Sequence, residues 1–145
     1  MIRQVSAFIQ NQEGCLAQLL KILSDAEIDI RSLTIAETAD YGVIRLILVD
    51  TDKALAAFRE NHIMANETGV MAAEISDKPG GMYFMVKLLT EAHINIEYSY
   101  SFLTKNTSNA IIIFKIAEDD VETVERILTD ENNIALLTQE ELMMK

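Results

Sequence analysis

Cysteine is almost absent: Cys15 is the single one in 145 residues. No intrachain disulfide can form, and nothing hints at secretion. Histidine is nearly as scarce. His62 and His93 are far apart, and with one cysteine they give no zinc-ligand spacing. No metal site and no cofactor are therefore expected. Basic residues are outnumbered, 12 Lys and Arg against 23 Asp and Glu, for a formal net charge of −11. Such a chain repels phosphate backbones and anionic lipid, so no nucleic-acid or membrane partner is expected. No apolar run approaches the roughly 20 residues of a membrane span. The first residues, MIRQVSAFIQNQEG, lack the apolar core of a signal peptide. The expected location is the cytoplasm.

Half of the residues are hydrophobic, enough for a real core. They are arranged in a repeat. Asn11 to Thr38 aligns without gaps on Asp77 to Thr104, 66 residues later. Seven of those 28 positions are identical: Gly14/Gly80, Lys21/Lys87, Leu23/Leu89, Ala26/Ala92, Ile28/Ile94, Ile30/Ile96 and Thr38/Thr104. Two copies are too few for a solenoid, and each is large enough to be a small domain. The expected boundary gives modules 1–67 and 68–145.

Within each copy the hydrophobic period alternates between that of a strand and that of a helix. Strand Ile2 to Gln10 leads through a turn into a helix, Cys15 to Glu27, with Leu16, Leu19, Leu20 and Leu23 on its stripe. Strands Ile28 to Glu37 and Val43 to Val49 follow, with Asp40-Tyr41-Gly42 between them. A helix from Lys53 to Asn61 comes next, capped from Asp50-Thr51-Asp52. A short strand, Ile63 to Glu67, completes the first copy. The second repeats the order: strand Gly69 to Ser76 and helix Gly81 to His93, with Met82, Met85, Val86 and Leu89 on one face. Strand Ile94 to Leu103, a hairpin loop at 105–109 and strand Ala110 to Ala117 come next. A helix opening at Glu118-Asp119-Asp120 and strand Ile134 to Thr138 finish the module, with a tail expected to fray from Gln139. Each half thus reads βαββαβ. The expected class is α+β, two ferredoxin-like modules with antiparallel sheets and helices on one face. The third strands are apolar on both parities, and Leu33 and Ile35 lie opposite Ile30, Ser32 and Thr34. Such two-faced strands predict that the open sheet face is covered by the other half or by another chain, hence a homo-oligomer, a dimer.

The repeated strand–glycine turn–helix has its own chemistry. The first helical N–H groups lack intrahelical partners, and the helix dipole adds positive charge there. Glycine lets a ligand approach. A carboxylate of amino-acid size suits such a site. Asn11 and Asp77, flanking the turns, suit polar or cationic ligand groups, and Asp29 and Asn95, opening the second strands, offer acceptors for an ammonium. The plain alternative also stands: Gly14 and Gly80 as turn glycines, Asn11 and Asp77 as turn residues. Neither turn reads as a phosphate loop or dinucleotide fingerprint. Cys15 at the helix start reads as a small turn filler, since neither histidine is near in sequence. His62 and His93 read as helix-end residues. Glu118-Asp119-Asp120 reads as a solvated helix start and Glu140-Glu141 as a charge cluster. The methionines read as core filler. Tyr98, Tyr100 and Phe102 share one strand face, as packing or as a pocket wall.

A strand, an [N/D]xPG turn, a helix and an Ile-Asn-Ile strand start, within βαββαβ, resemble the ACT domain. The second copy carries the fuller match, Asp77-Lys78-Pro79-Gly80-Gly81 with Ile94-Asn95-Ile96. The first departs from it with Glu13 for Pro and Asp29 for Asn. The resemblance implies a tandem pair of regulatory modules, without an attached catalytic domain, that bind a free amino acid where two copies meet. The β1–α1 turn of one copy would face the second-strand start of its neighbour. That joins Asn11, Gly14, Cys15 and Leu16 to Asn95 and Ile96, and Asp77, Gly80, Gly81 and Met82 to Asp29 and Ile30. On this reading the protein is a sensor rather than an enzyme, acting on a separate metabolic enzyme or regulator. The first rival reading is a scaffold that oligomerises or docks a partner and binds nothing small. The second is a small ferredoxin-like enzyme, which would require a converging acid, base or nucleophile set that the sequence does not display.

Overall fold

The computed structural model describes residues 1–104 and 108–145. Most of the expected hairpin loop at 105–109 lies outside them. The chain divides into two compact units, Arg3–Gly69 and Val70–Lys145, the second including Met1–Ile2. The first contains β1 (Ile2–Gln10), α1 (Cys15–Asp25), β2 (Ile30–Glu37), β3 (Tyr41–Leu48) and α2 (Thr51–Glu60). β4 (Ala65–Ser76) runs across the boundary. The second unit continues with α3 (Gly81–Glu91), β5 (Tyr98–Phe102), β6 (Asn109–Lys115), α4 (Val121–Glu125), β7 (Ala135–Leu136) and α5 (Gln139–Met144). A 3-10 turn, Glu118–Asp120, leads into α4, and a π-helical stretch, Arg126–Glu131, prolongs it.

Both units are ferredoxin-like. In the first, the strand order is β2-β3-β1-β4, and β3 is antiparallel to β1 and β2. In the second, it is β4-β6-β5, with β7 also beside β4, all pairs antiparallel. The helices cover one face of each sheet. Leu19, Ile22, Leu23, Ala54 and Phe58 pack on Val5, Ala7, Ile44, Leu46 and Leu48. Met85, Leu89, Val124 and Leu128 pack on Met71, Ala73, Ile75, Ile112 and Phe114. At the edge of the first core, Arg3 makes two-pronged contacts with Asp52 on α2 and Glu67 on β4. Its guanidinium holds both carboxyls below the usual range.

The structure corrects several expectations. The strands expected at Ile63 to Glu67 and Gly69 to Ser76 are one twelve-residue strand, β4. Thr68-Gly69 does not break it, because a glycine can stay extended. Strands β2, β4 and β5 begin later than the apolar pattern suggested. Ile28, Ile63 and Ile94 instead close the helices before them: their N–H groups donate to Leu23, Phe58 and Leu89, five residues back. This is the Schellman cap, with its apolar contact across the helix end. Leu33 and Ile35 do not lie opposite Ile30. The register shifts between Ile30 and Ser32, so Ile30, Leu33 and Ile35 pair with Leu48, Leu46 and Ile44 on the helix-covered face. A β-bulge flips the parity that simple alternation assigns. Met82, placed on the buried stripe of α3, is 41% exposed, because the first helical turn projects past the core.

The tail does not fray. Thr138 and Glu141 form a reciprocal capping box that starts α5. The backbone and side-chain hydrogen bonds from Thr138 hold the Glu141 carboxyl below its usual range. Leu142 is fully buried, and Lys145 Nζ lies 3.2 Å from Glu74 Oε2. Glu74 alternates with the core residues Ala73 and Ile75, so the C-terminal segment reaches the sheet face away from α3 and α4.

Among the described residues, positive φ outside glycine occurs at Glu27, His62, His93 and Asn133, each just past a helical segment. A β-carbon costs roughly 1–2 kcal/mol in that conformation. We therefore expect Glu27→Gly and His93→Gly each to stabilise the protein by about 1 kcal/mol. Urea unfolding midpoints check this, and a lowered midpoint contradicts it.

Candidate functional site

The two expected turns are built alike. Gly14 and Gly80 occupy the N-cap positions of α1 and α3 in left-handed conformation, with φ of 87° and 86°. Cys15 N–H donates to the Gln12 carbonyl at 3.2 Å, and Gly81 N–H to that of Lys78 at 2.9 Å. Helical bonding begins when Gln18 and Phe84 donate back to the two glycine carbonyls. The N–H groups of residues 16 and 17, and of 82 and 83, have no intrahelical acceptor, and neither helix has a side-chain cap. A side-chain oxygen at the N-cap would compete for these donors. Glycine leaves them for a ligand or for water.

The turns differ at their next residue. A Cβ added at Gly81 would lie 2.0 Å from the Ser76 carbonyl oxygen, so α3 starts tightly folded onto the end of β4. Cys15 holds the matching position in the first unit and is half-buried. Asn11 is already engaged: its side-chain amide donates to the Thr38 carbonyl at 3.3 Å and reaches Glu37 at 3.5 Å. Its backbone N–H donates to Asp40 at 3.0 Å. It ties the turn to the β2–β3 hairpin and keeps only its amide oxygen for another group. Asp77, its counterpart, is exposed.

The second-strand residues lie elsewhere. In the first unit, Gln10 pairs with Tyr41 and Glu37 with Gly42 at the turn end of the sheet. Ile30 pairs with Leu48 at the other end, where the Asp29 carbonyl accepts from Val49 N–H. At about 3.3 Å per residue, the two ends are roughly 20–25 Å apart. The second unit repeats this: Ser76 and Phe102 mark the turn end, while Asn95 and Ile96 precede β5 at the far end. Asp29 and Asn95 are exposed, and Ile30 and Ile96 pack against their cores. The structure therefore joins Asn11, Gly14, Cys15 and Leu16, and separately Asp77, Gly80, Gly81 and Met82. Neither set meets the second-strand start of its own unit.

Clefts border both turns. Beside the first, two of about 130 and 270 Å³ lie against the β2–β3 hairpin. Beside the second, a cleft of about 400 Å³ runs from Lys78, Pro79 and Gly81 past Phe84 to Asn133 and Ile134. Sequence reasoning missed Phe84 and Asn133. The signal for Asn133 was an asparagine at a helix end, a residue that tolerates positive φ. Among the described residues, no group of three His, Cys, Asp or Glu is placed to hold a metal ion.

The sequence matches the ACT domain pair family over residues 1–145. The chain belongs to that family. Its two units are ACT modules. A crystal structure of a protein from Bacteroides thetaiotaomicron is similar at 30% identity and TM-score 0.86, over 97% of this chain and 94% of that one. The ligand-free regulatory subunit of aspartate kinase from Thermus thermophilus is similar at 15% identity and TM-score 0.63, over 90% and 92%. E. coli aspartokinase III, solved with lysine and aspartate, is similar at 17% identity and TM-score 0.52, over 90% of this chain and 31% of that one. At these last two identities the likeness is one of fold. Comparison with curated protein sequences finds no match. No described helix is long and apolar enough to cross a membrane.

The two modules should respond differently to a methyl group at the helix start. We expect Gly81→Ala to cost roughly 1–3 kcal/mol, because backbone must move away from Ser76. Cys15→Ala should cost less than about 1 kcal/mol, since the site already holds a β-carbon. Equal urea midpoints for these two variants contradict the tight α3 start.

Proposed function

We propose that this protein is a regulatory sensor of a free amino acid, bound where two ACT modules meet. The observation that carries this is the duplicated helix start. Each left-handed glycine leaves two amides without intrahelical acceptors, beside a cleft. That is half of a zwitterion site, suited to the carboxylate. In the pairing that the family resemblance implies, the acceptor half for an ammonium is Asp29 or Asn95, which sits at the opposite end of its own module, so a second module supplies it. The proposed pairings are Asn11, Gly14, Cys15 and Leu16 with Asn95 and Ile96, and Asp77, Gly80, Gly81 and Met82 with Asp29 and Ile30.

The family assignment and the regulatory subunits of similar fold support the regulatory half of this reading. By the same analogy, the output passes to a separate metabolic enzyme or regulator. The scarcity of cysteine favours the cytoplasm, and the two-faced third strands favour a homodimer. Binding would favour one arrangement of modules over another in proportion to its differential affinity for the two. One observation favours the scaffold reading for the first turn: the Asn11 amide is already spent on the β2–β3 hairpin.

Thermal unfolding of the full chain against each of the twenty amino acids tests the proposal. A ligand at about 100 times its dissociation constant stabilises by roughly 2.7 kcal/mol. At this chain length that raises the midpoint by about 5–10 °C. We expect one or two amino acids to produce such a rise. A flat panel contradicts the sensor reading and leaves the scaffold.

A further inference from the structure

The cleft of the second module has features that a plain helix–strand loop would lack. β7 pairs with β4 only at Ala73 and Glu74, so Ile75 and Ser76 border open space. The opposite wall is held in an uncommon conformation. The helix before it ends in a π-helical stretch, and Ile134 N–H reaches back six residues to the Leu128 carbonyl at 2.7 Å. The helix ends at Ile28, Ile63 and Ile94 close over five residues instead. Asn133 then takes a φ of 55°, the conformation that Glu27, His62 and His93 also take after their helices. The π-helical end is what sets this wall apart, and π bulges within helices recur at functional sites. Here it leads into one wall of a cleft whose other wall is the turn. Phe84 and Ile134 give the cleft apolar surface, and Lys78 and Asn133 sit among its lining residues. At about 400 Å³ it falls within the roughly 300–1,000 Å³ of ligand pockets.

We propose that this cleft receives the side chain of the amino acid bound at the second turn, and selects those with large apolar side chains, aromatic or branched aliphatic. The inference rests on the sensor reading and adds its specificity. A carboxylate at the start of α3 places the rest of the ligand next to Gly81, where the cleft opens. A small or strongly hydrated side chain would leave the half-exposed Phe84 facing water and gain little from the site. A large apolar one displaces the water over Phe84. Phe84 is thus a specificity-determining residue that the turn motif does not contain.

The test is calorimetric titration of the full chain with a panel from glycine to phenylalanine. Wild type, Phe84→Ala and Ser76→Phe are compared, each first checked for a native unfolding transition. Phe84 is half-exposed, so its truncation leaves the core intact. Wild type should bind the large apolar amino acids most tightly. Phe84→Ala should weaken those about tenfold or more, while the small ones change less than about twofold. Ser76→Phe, which fills the cleft from β4, should shift preference toward the small ones. A wild type that prefers glycine, serine or a charged amino acid overturns the inference but leaves the sensor reading standing. So does a Phe84→Ala that leaves the order of preference unchanged. A wild type that binds no amino acid overturns both.

Discussion

A strand that must become a helix within four residues needs a sharp reversal, and the reversal needs one residue at positive φ. In each module a glycine provides it, Gly14 or Gly80. The rest of the arrangement depends on that choice. The left-handed residue aims the helix back across its sheet, so that Leu19 and Leu23, or Met85 and Leu89, meet the strands. It also places a residue without a side chain at the N-cap, where serine or aspartate would normally occupy the first amides. One conformational requirement thus makes both the core and a row of unused donors. Fold and donors share a cause here, which is why a duplicated fold carries a duplicated row of such amides.

The modules then diverge by small changes. Gly81 lets α3 close onto Ser76, and Cys15 does not allow the same approach in the first module. Asn11 is drawn into the hairpin, whereas Asp77 is exposed. The cleft opens toward the hairpin beside one turn and toward the loop after α4 beside the other. Each change is local and leaves the packing period of its helix intact. Duplication followed by such edits leaves one turn beside a larger cleft while the other acquires a structural tie. Strain is distributed with the same economy. Glu27, His62, His93 and Asn133 end helices in a conformation that glycine would hold more easily. Only Asn133 borders the large cleft.

Periodicity made the architecture legible. The leucines of α1 and the alternation in β1 required no tertiary information, and the 66-residue repeat located both glycine turns. Legibility failed where one residue type serves two local structures. Ile28, Ile63 and Ile94 look like strand starts, because a Schellman cap also wants a branched apolar residue just after the helix. Leu33 and Ile35 fell on the wrong face because a bulge leaves no mark in alternation. The tail is ordered because Thr138-Gln139-Glu140-Glu141 spells a capping box, a signal that the pair Glu140-Glu141 hides by also reading as a charge cluster. Phe84 and Asn133 were invisible for a different reason. The cleft they line is made by how far β7 extends and by a π turn, neither of which a hydrophobic pattern encodes.

The central claim is that the unpartnered amides at a helix start bind the carboxylate of an amino acid, completed by the second-strand start of another module. Amide chemical shifts, followed by NMR as the stabilising amino acid is added to the full chain, test it most directly. The account predicts large shifts at Met82 and Tyr83 together with Asp29 and Ile30, or at Leu16 and Ala17 together with Asn95 and Ile96, saturating at one common concentration. Saturable shifts confined to other parts of the modules, with these helix starts unmoved, would contradict it.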